Sequence, residues 1–169
     1  MNQIQLLILQ GPPGAGKSTI AKAIATQLRD AYLSHAVIEL DDLARIYPRE
    51  NLHIMYDNLA AMWPNYEKLG NIKVILPTYL QKGELEIVRQ AAPAERLTLC
   101  EIIAPQDEIH DRIKRRDIDL ATQKRLLQFV NGYSENRAED NRVSFKVFNH
   151  NRKPERVARE IIENLEWLS

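Results

Sequence analysis

The sequence predicts a three-layer α/β domain with a largely parallel sheet of about five strands, and three observations carry that prediction. Short apolar runs alternate with helical patterns along the whole chain. A glycine-rich turn joins the first apolar run to the first helical pattern, the arrangement of a strand feeding a crossover helix. The chain has 169 residues, 44% of them hydrophobic, which suits one domain with a sizeable core spanning residues 1–169 and is too short for a comfortable two-domain enzyme. No internal repeat, low-complexity tract or linker interrupts it.

Each element has its own signal. Ile4 to Leu9 is a nearly unbroken apolar run and reads as a buried strand. From Lys17 to about Tyr32, Ile20, Ala23, Ile24, Leu28 and Ala31 recur at helical spacing with Lys22 and Arg29 on the other face. Ala36 to Leu40 forms a second strand, followed by Asp41, Asp42 and a short helical pattern that Pro48 ends. Asn51 to Leu69 is mostly helical with a predicted interruption near Pro64, which lacks the amide a helix interior needs. Ile72 to Leu76 is a third strand expected to stop at Pro77, and Glu84 to Ala92 a helix stopping before Pro93. Leu97 to Ile103 is the fourth strand. A charged helix then runs from Pro105 through about Arg116, Asp117 to Asn141 is polar and partly helical, and Val143 to Phe148 alternates as a fifth strand. The closing helix begins near Pro154, a residue suited to the first helical position, and is expected to bury Val157, Ile161, Leu165 and Leu168.

Charge and cysteine content narrow the function classes. Twenty-three basic and twenty-three acidic residues give a net charge of zero, so no global field draws nucleic acid or anionic lipid and nucleic acid is an unfavoured partner. The single cysteine, Cys100, has no partner for an internal disulfide and sits in the apolar run Leu97 to Ile103, which suits a buried hydrophobe in a reducing compartment. Ile4 to Leu9 is too short and wrongly flanked for a signal peptide, and no apolar run nears the ~18 residues of a membrane span. A cytoplasmic, unanchored protein is expected.

The turn after the first strand reads Gly11-Pro12-Pro13-Gly14-Ala15-Gly16-Lys17-Ser18 and is followed by Thr19, satisfying GxxxxGK[ST]. Backbone amides must converge on a phosphate there, at approach distances a Cβ would obstruct, which is why the loop holds three of the chain's six glycines. The next helix aims its N-terminal amides at the same anion. Lys17 then reaches the β and γ phosphates and the Ser18 hydroxyl suits Mg²⁺, so Gly11, Pro13, Gly14, Ala15, Gly16, Lys17, Ser18 and Thr19 are the candidate nucleotide-binding residues.

Such a loop binds nucleotide without fixing the reaction. Many enzymes with this loop end a neighbouring strand with a magnesium-holding aspartate, whereas this third strand ends Leu76-Pro77-Thr78. Asp41 and Asp42, past the second strand, are the replacement by topology, because the carboxyl ends of parallel strands line the ligand crevice. Asp41 is read as a base for an acceptor hydroxyl or a magnesium-shell ligand and Asp42 as a cap for the helix beginning at Leu43; the alternatives are that both cap that helix or that the two exchange roles. Arg112 and Arg116, four residues apart, would share a helical face, either to neutralise a transferring phosphoryl group or as a solvated face paired with Glu108 and Asp111. His35, His53, His110 and His150 lack metal-ligand spacing. Trp63, Asn65 and Tyr66 suit an acceptor pocket or helix packing, and Asn149 to Lys153 a base contact or an ordinary turn.

Taken together, Gly11 to Thr19, Ile38-Glu-Leu-Asp-Asp-Leu43, the Arg112 and Arg116 pair and the terminal strand and helix resemble the small P-loop kinases, which include shikimate, gluconate, adenylate and adenylylsulfate kinases and the chloramphenicol phosphotransferases. The resemblance implies a parallel sheet of order 2-3-1-4-5, a lid over ATP at about residues 117–124, and a substrate region at about residues 51–69. It implies catalytic roles for Lys17, Asp41, Arg112 and Arg116 and a Mg²⁺ site at Ser18 and Asp41. Pro77-Thr78 departs from the acidic or glycine-containing sequence of several relatives. The expected activity is ATP-dependent transfer of the γ-phosphoryl group to a small hydroxyl-bearing acceptor; the alternatives are a nucleotide or polynucleotide-end kinase and a non-catalytic nucleotide-binding regulator.

Overall fold

Strand β1, Ile4–Gln10, lies at the centre of the sheet and explains the layering. Its successive side chains point to opposite faces, so Leu6 and Ile8 enter one core while Leu7 and Leu9 enter another. The computed structural model describes residues 3–48, 50–51, 53–137 and 142–168. In chain order the further elements are α1 (Lys17–Asp30), β2 (His35–Val37), a 3-10 turn (Leu40–Ala44), α2 (Ile54–Glu67), β3 (Ile72–Thr78), α3 (Glu84–Ala91), β4 (Arg96–Ile103), α4 (Gln106–Lys114), α5 (Leu120–Asn136), β5 (Phe145–Phe148) and α6 (Pro154–Leu165). The five strands are all parallel, in the order β2-β3-β1-β4-β5.

One face of the sheet packs on α2 and α3 through Tyr56, Leu59, Trp63, Leu85 and Val88. The other packs on α1 and α6 through Ile20, Ile24, Leu28, Val157, Ile161 and Leu165. Each such side chain, moved fully out of water, contributes about 1.5–3 kcal/mol, so burial on both faces is what holds the three layers. A small third cluster, Ile109, Ile113 and Val130, packs α4 against α5 beside the sheet. Cys100 is fully buried on β4, and burial, followed by the charges of Glu160 and Glu101, pushes its thiol well above the ordinary range. Among the described residues no helix is long and apolar enough to cross a membrane.

Several boundaries differ from the sequence reading. Strand β2 begins at His35 and ends at Val37, short of Leu40; Ile38 still donates to Ile75 O at 2.9 Å, but the chain then tightens into the 3-10 turn that carries Asp41 and Asp42. β3 does not stop at Pro77. Lys73 N donates to Ser34 O and Ile75 O accepts from Ile38 N, so odd-numbered residues of β3 face β2; Pro77 lies beyond the end of β2, and its missing amide falls on an open edge. α2 runs unbroken through Pro64, which sits within its last turn. α4 ends at Lys114, before Arg116. β5 starts at Phe145, two residues after Val143. Leu168 is 50% exposed because α6 ends at Leu165 and Glu166 turns left-handed, and Trp167 is buried in its place, donating to Gln5 Oε1 at 2.6 Å. The polar stretch of residues 117–141 is more regular than expected, with a helix from Leu120; its last residues, 138–141, lie outside the described residues, as does Leu52 of the expected substrate region.

Candidate functional site

The carboxyl ends of β1, β2 and β3 open on one side of the sheet, and the glycine-rich loop crosses there between β1 and α1. Gly14 and Gly16 have φ of 82° and 97°, a region that favours glycine. Space demands glycine too: a Cβ on Gly16 would lie 2.5 Å from Asn149 Nδ2, and one on Gly14 would lie 3.1 Å from Ile109 Cγ2. The loop is held from behind. The buried Asn149, at the end of β5, donates from Nδ2 to Ala15 O at 2.8 Å, and Arg112 donates to Gly14 O at 3.2 Å and to Ala15 O at 3.5 Å. Carbonyl and amide point in opposite directions across a trans peptide, so fixing Ala15 O outward turns the Gly16 N–H toward the loop's open side.

Arg112 is itself fixed by Glu108 and by Asn149 O, the latter at 3.4 Å. Glu108 Oε2 also bonds His150 Nδ1 at 2.6 Å, and this bond, followed by the charge of Arg112, holds the Glu108 carboxyl below its usual range against partial burial. The predicted pairing of Arg112 and Arg116 on one helical face is therefore corrected. α4 ends between them, so Arg112 braces the back of the loop while Arg116 reaches its open side.

On that open side Pro13, Gly14, Gly16, Lys17, Ser18, Thr19, Glu39, Asp41, Thr78 and Arg116 line a cavity of about 220 Å³. Lys17 Nζ donates to Gly11 O at 2.8 Å and Pro12 O at 3.0 Å, both neutral acceptors. Burial pulls its pKa down to about 8; Arg116 adds to the depression, whereas Asp41 and Glu39 oppose it. The Ser18 hydroxyl donates to Glu39 Oε2 at 3.0 Å. These are hard oxygen donors, of the kind Mg²⁺ selects, and with Asp41 nearby they fit a divalent ion shared with phosphate oxygens. Among the described residues no group of three or more His, Cys, Asp or Glu forms a metal site of its own. Asp42 does not cap a helix; it lies within the 3-10 turn and pairs with Arg45 at 2.8 Å on the surface.

A second cavity of about 440 Å³ adjoins the first, sharing Pro13, Asp41, Tyr79 and Leu126. Ala44, Met55 and Phe129 add apolar surface to it, and Gln81, Glu84 and Arg125 add polar groups. α5 supplies Arg125, Leu126 and Phe129. Its far end is tied to the sheet by the buried Glu101 on β4, which takes Arg137 at 2.8 Å, the Tyr133 hydroxyl at 2.9 Å and Lys146 at 3.5 Å.

Comparison with known proteins agrees with this architecture. The chain superposes on the Mycobacterium tuberculosis APS kinase CysC, solved with AMPPNP and APS, with TM-score 0.69 and 18% identity over 98% of this chain and 99% of that one. A Janibacter sugar kinase gives 0.65 and 16% over 96% and 95%, and the Acinetobacter baumannii shikimate kinase, solved with shikimate, 0.60 and 13% over 98% and 95%. The fold is that of the small P-loop kinases. A family model described as Novel STAND NTPase 3 matches residues 1–60, and no curated protein matches.

Within this P-loop kinase fold the sequence reading and the geometry divide unevenly. Gly11 and Ala15 lie behind the loop's open side, and the other predicted loop residues line the first cavity together with Asp41 and Arg116. Trp63 is in the core, donating from Nε1 to Pro93 O at 2.8 Å, and neither Asn65 nor Tyr66 lines either cavity. Glu39, Tyr79, Glu84, Glu101 and Phe129 went unread. Glu101 had a signal, a lone charge inside the apolar run Leu97 to Ile103.

Proposed function

We propose that this protein is an ATP-dependent phosphotransferase that moves the γ-phosphoryl group to a small hydroxyl-bearing molecule. One observation carries the reading: a small cavity with Lys17 and Arg116 on its wall adjoins a larger, more apolar one, and Asp41 belongs to both. A phosphate donor and an acceptor can then meet at a carboxylate. The loop amides and Lys17 would hold the phosphates, and Ser18 with Glu39 would hold Mg²⁺, since Glu39 is the carboxylate the Ser18 hydroxyl already reaches. Mg²⁺, when bound there, would neutralise phosphate charge. Asp41, on the shared wall, would take the proton of the acceptor hydroxyl, and Lys17 with Arg116 would offset the charge that shifts during transfer. The segment 115–119 and the start of α5 would act as the lid, and α2 as part of the substrate region.

The test is ADP formation from Mg·ATP across a panel of sugars, hydroxy acids, nucleosides and amphipathic alcohols, with Lys17→Ala as the control. An acceptor should raise turnover, and the folded Lys17→Ala variant should lose about a hundredfold or more, equivalent to roughly 3 kcal/mol of transition-state stabilisation. Equal turnover in Lys17→Ala would overturn the reading. The match of residues 1–60 to an NTPase model favours a second reading, hydrolysis with water as the acceptor, and turnover that ignores every acceptor would select it.

A further inference from the structure

Resting on the phosphotransferase reading, we propose that the acceptor is a cationic amphipath, an alcohol carrying an apolar body and an amine, and not a carboxylate or phosphate ester. The charges of the two joined cavities are divided. Lys17 and Arg116 line only the smaller cavity, where the phosphates would sit. Among the described residues the larger one is lined by two carboxylates, Asp41, which both cavities share, and Glu84, which lines the larger alone, against one guanidinium, the exposed Arg125 on α5. An anionic acceptor would face these like charges and one exposed counter-charge, while an amine gains chiefly from Glu84, since Asp41 already faces Lys17.

The Glu84 carboxylate is held in place. Its Oε2 accepts the Gln81 backbone N–H at 2.7 Å, so the charge is set at the N-terminus of α3 instead of swinging into solvent. Its field reaches the neighbouring rings: burial first, then the charge of Glu84, raises the Tyr56 and Tyr79 phenols above their ordinary range. Beside these charged groups and Gln81, the described wall is apolar and aromatic. Tyr79 and Phe129 meet at 6.0 Å with their planes tilted by 59°, and Met55 and Leu126 complete a surface suited to a ring or a branched alkyl body. A cation near such rings also gains from their faces.

Three probes on one scaffold test this: phenylalaninol (cationic), 3-phenylpropane-1,2-diol (neutral) and 3-phenyllactate (anionic). Binding to the full chain is measured by calorimetry with ADP present, and ADP formation from Mg·ATP is measured in parallel. Phenylalaninol should bind about tenfold tighter than phenyllactate, with the diol between them. Glu84→Gln keeps the oxygen that accepts the Gln81 amide, so it should fold and bring phenylalaninol and the diol to near parity. Phe129→Ala should weaken all three, phenylalaninol somewhat more because it also loses a ring face. Phenyllactate binding as tightly as phenylalaninol, an unchanged preference in Glu84→Gln, or no binding of any probe by protein that still binds ADP would each overturn the proposal. Binding in the proposed order without ADP formation from any acceptor would instead count against the phosphotransferase reading.

Discussion

Lys17 offers a direct measure of how far the loop is prepared for an anion. In the nucleotide-free protein its ammonium has two backbone carbonyls as acceptors and is desolvated, which lowers its pKa from the ordinary 10.5 to about 8. A bound diphosphate supplies the counter-charge that Gly11 O and Pro12 O lack, so the pKa should return toward its ordinary value and binding should take up protons. With pKa values of about 8 free and about 10.5 bound, uptake is about one tenth of a proton at pH 7, about one half at pH 8 and about nine tenths at pH 9. The same shift makes the free protein's stability rise with pH between about 8 and 10.5, because the unfolded lysine holds its proton where the folded one has lost it. The assay is calorimetric titration with ADP in buffers of different ionisation enthalpy at pH 7, 8 and 9, where the slope against buffer enthalpy counts protons. Lys17→Arg keeps the charge and does not titrate in this range, so its uptake should be near zero at each pH. Absence of uptake at pH 9 by the wild-type protein, or equal uptake by Lys17→Arg, would refute the argument.

The remaining predictions separate the bracing of the loop from its chemistry. Arg112→Lys loses the planar fork that spans two loop carbonyls and Glu108, so it should lower ADP affinity and melting temperature together, whereas Arg116→Lys should lower turnover with little change in either; turnover and ADP calorimetry on both variants decide this. Asn149→Ala leaves Ala15 O without its 2.8 Å donor and should cost about 1–3 kcal/mol in chemical denaturation, while weakening ADP about tenfold and leaving adenosine affinity unchanged. Glu39→Gln should raise the Mg²⁺ concentration for half-maximal turnover by about tenfold with the ATP affinity measured without metal unchanged, and an unaltered Mg²⁺ dependence would return the metal role to Asp41.

What the sequence makes legible follows the range of the physics involved. The loop motif is local: its glycines, lysine and hydroxyl act within a strand-turn-helix unit, so Gly11 to Thr19 could be read without knowing what packs around them. The layering was legible because hydrophobic periodicity reports burial directly. The boundaries that shifted depended on neighbours. Pro77 stays in β3 because β2 is short there, and Leu168 is exposed because Glu166 turns the chain and offers Trp167 to the core. The two arginines illustrate the same limit, since four-residue spacing implies a shared face only while the helix continues, and α4 ends at Lys114.

In the half of the site that would choose the acceptor Asp41 was legible from its place after the second strand, and the rest was not. Met55 comes from α2, Tyr79 from the segment after β3, Glu84 from α3 and Phe129 from α5, and each is unremarkable in its own stretch of chain. Tertiary packing alone brings them together, and the buried Glu101 anchors one wall, because its pairing with Arg137 and Tyr133 fixes the end of α5 on the sheet. Arg137→Met leaves the buried Glu101 with the Tyr133 hydroxyl and the longer Lys146 contact at 3.5 Å, so it should destabilise the fold by about 1.5–3 kcal/mol, the worth of a hydrogen bond to a charged group. The same change should also loosen Phe129 against Tyr79 and weaken the apolar probes before it disturbs ADP, because the loop is braced from the opposite side by Asn149 and Arg112. Parallel loss of ADP and probe binding in a variant that remains folded would mean that the two cavities share one support, and the division between a locally encoded phosphate site and an assembled acceptor site would fall.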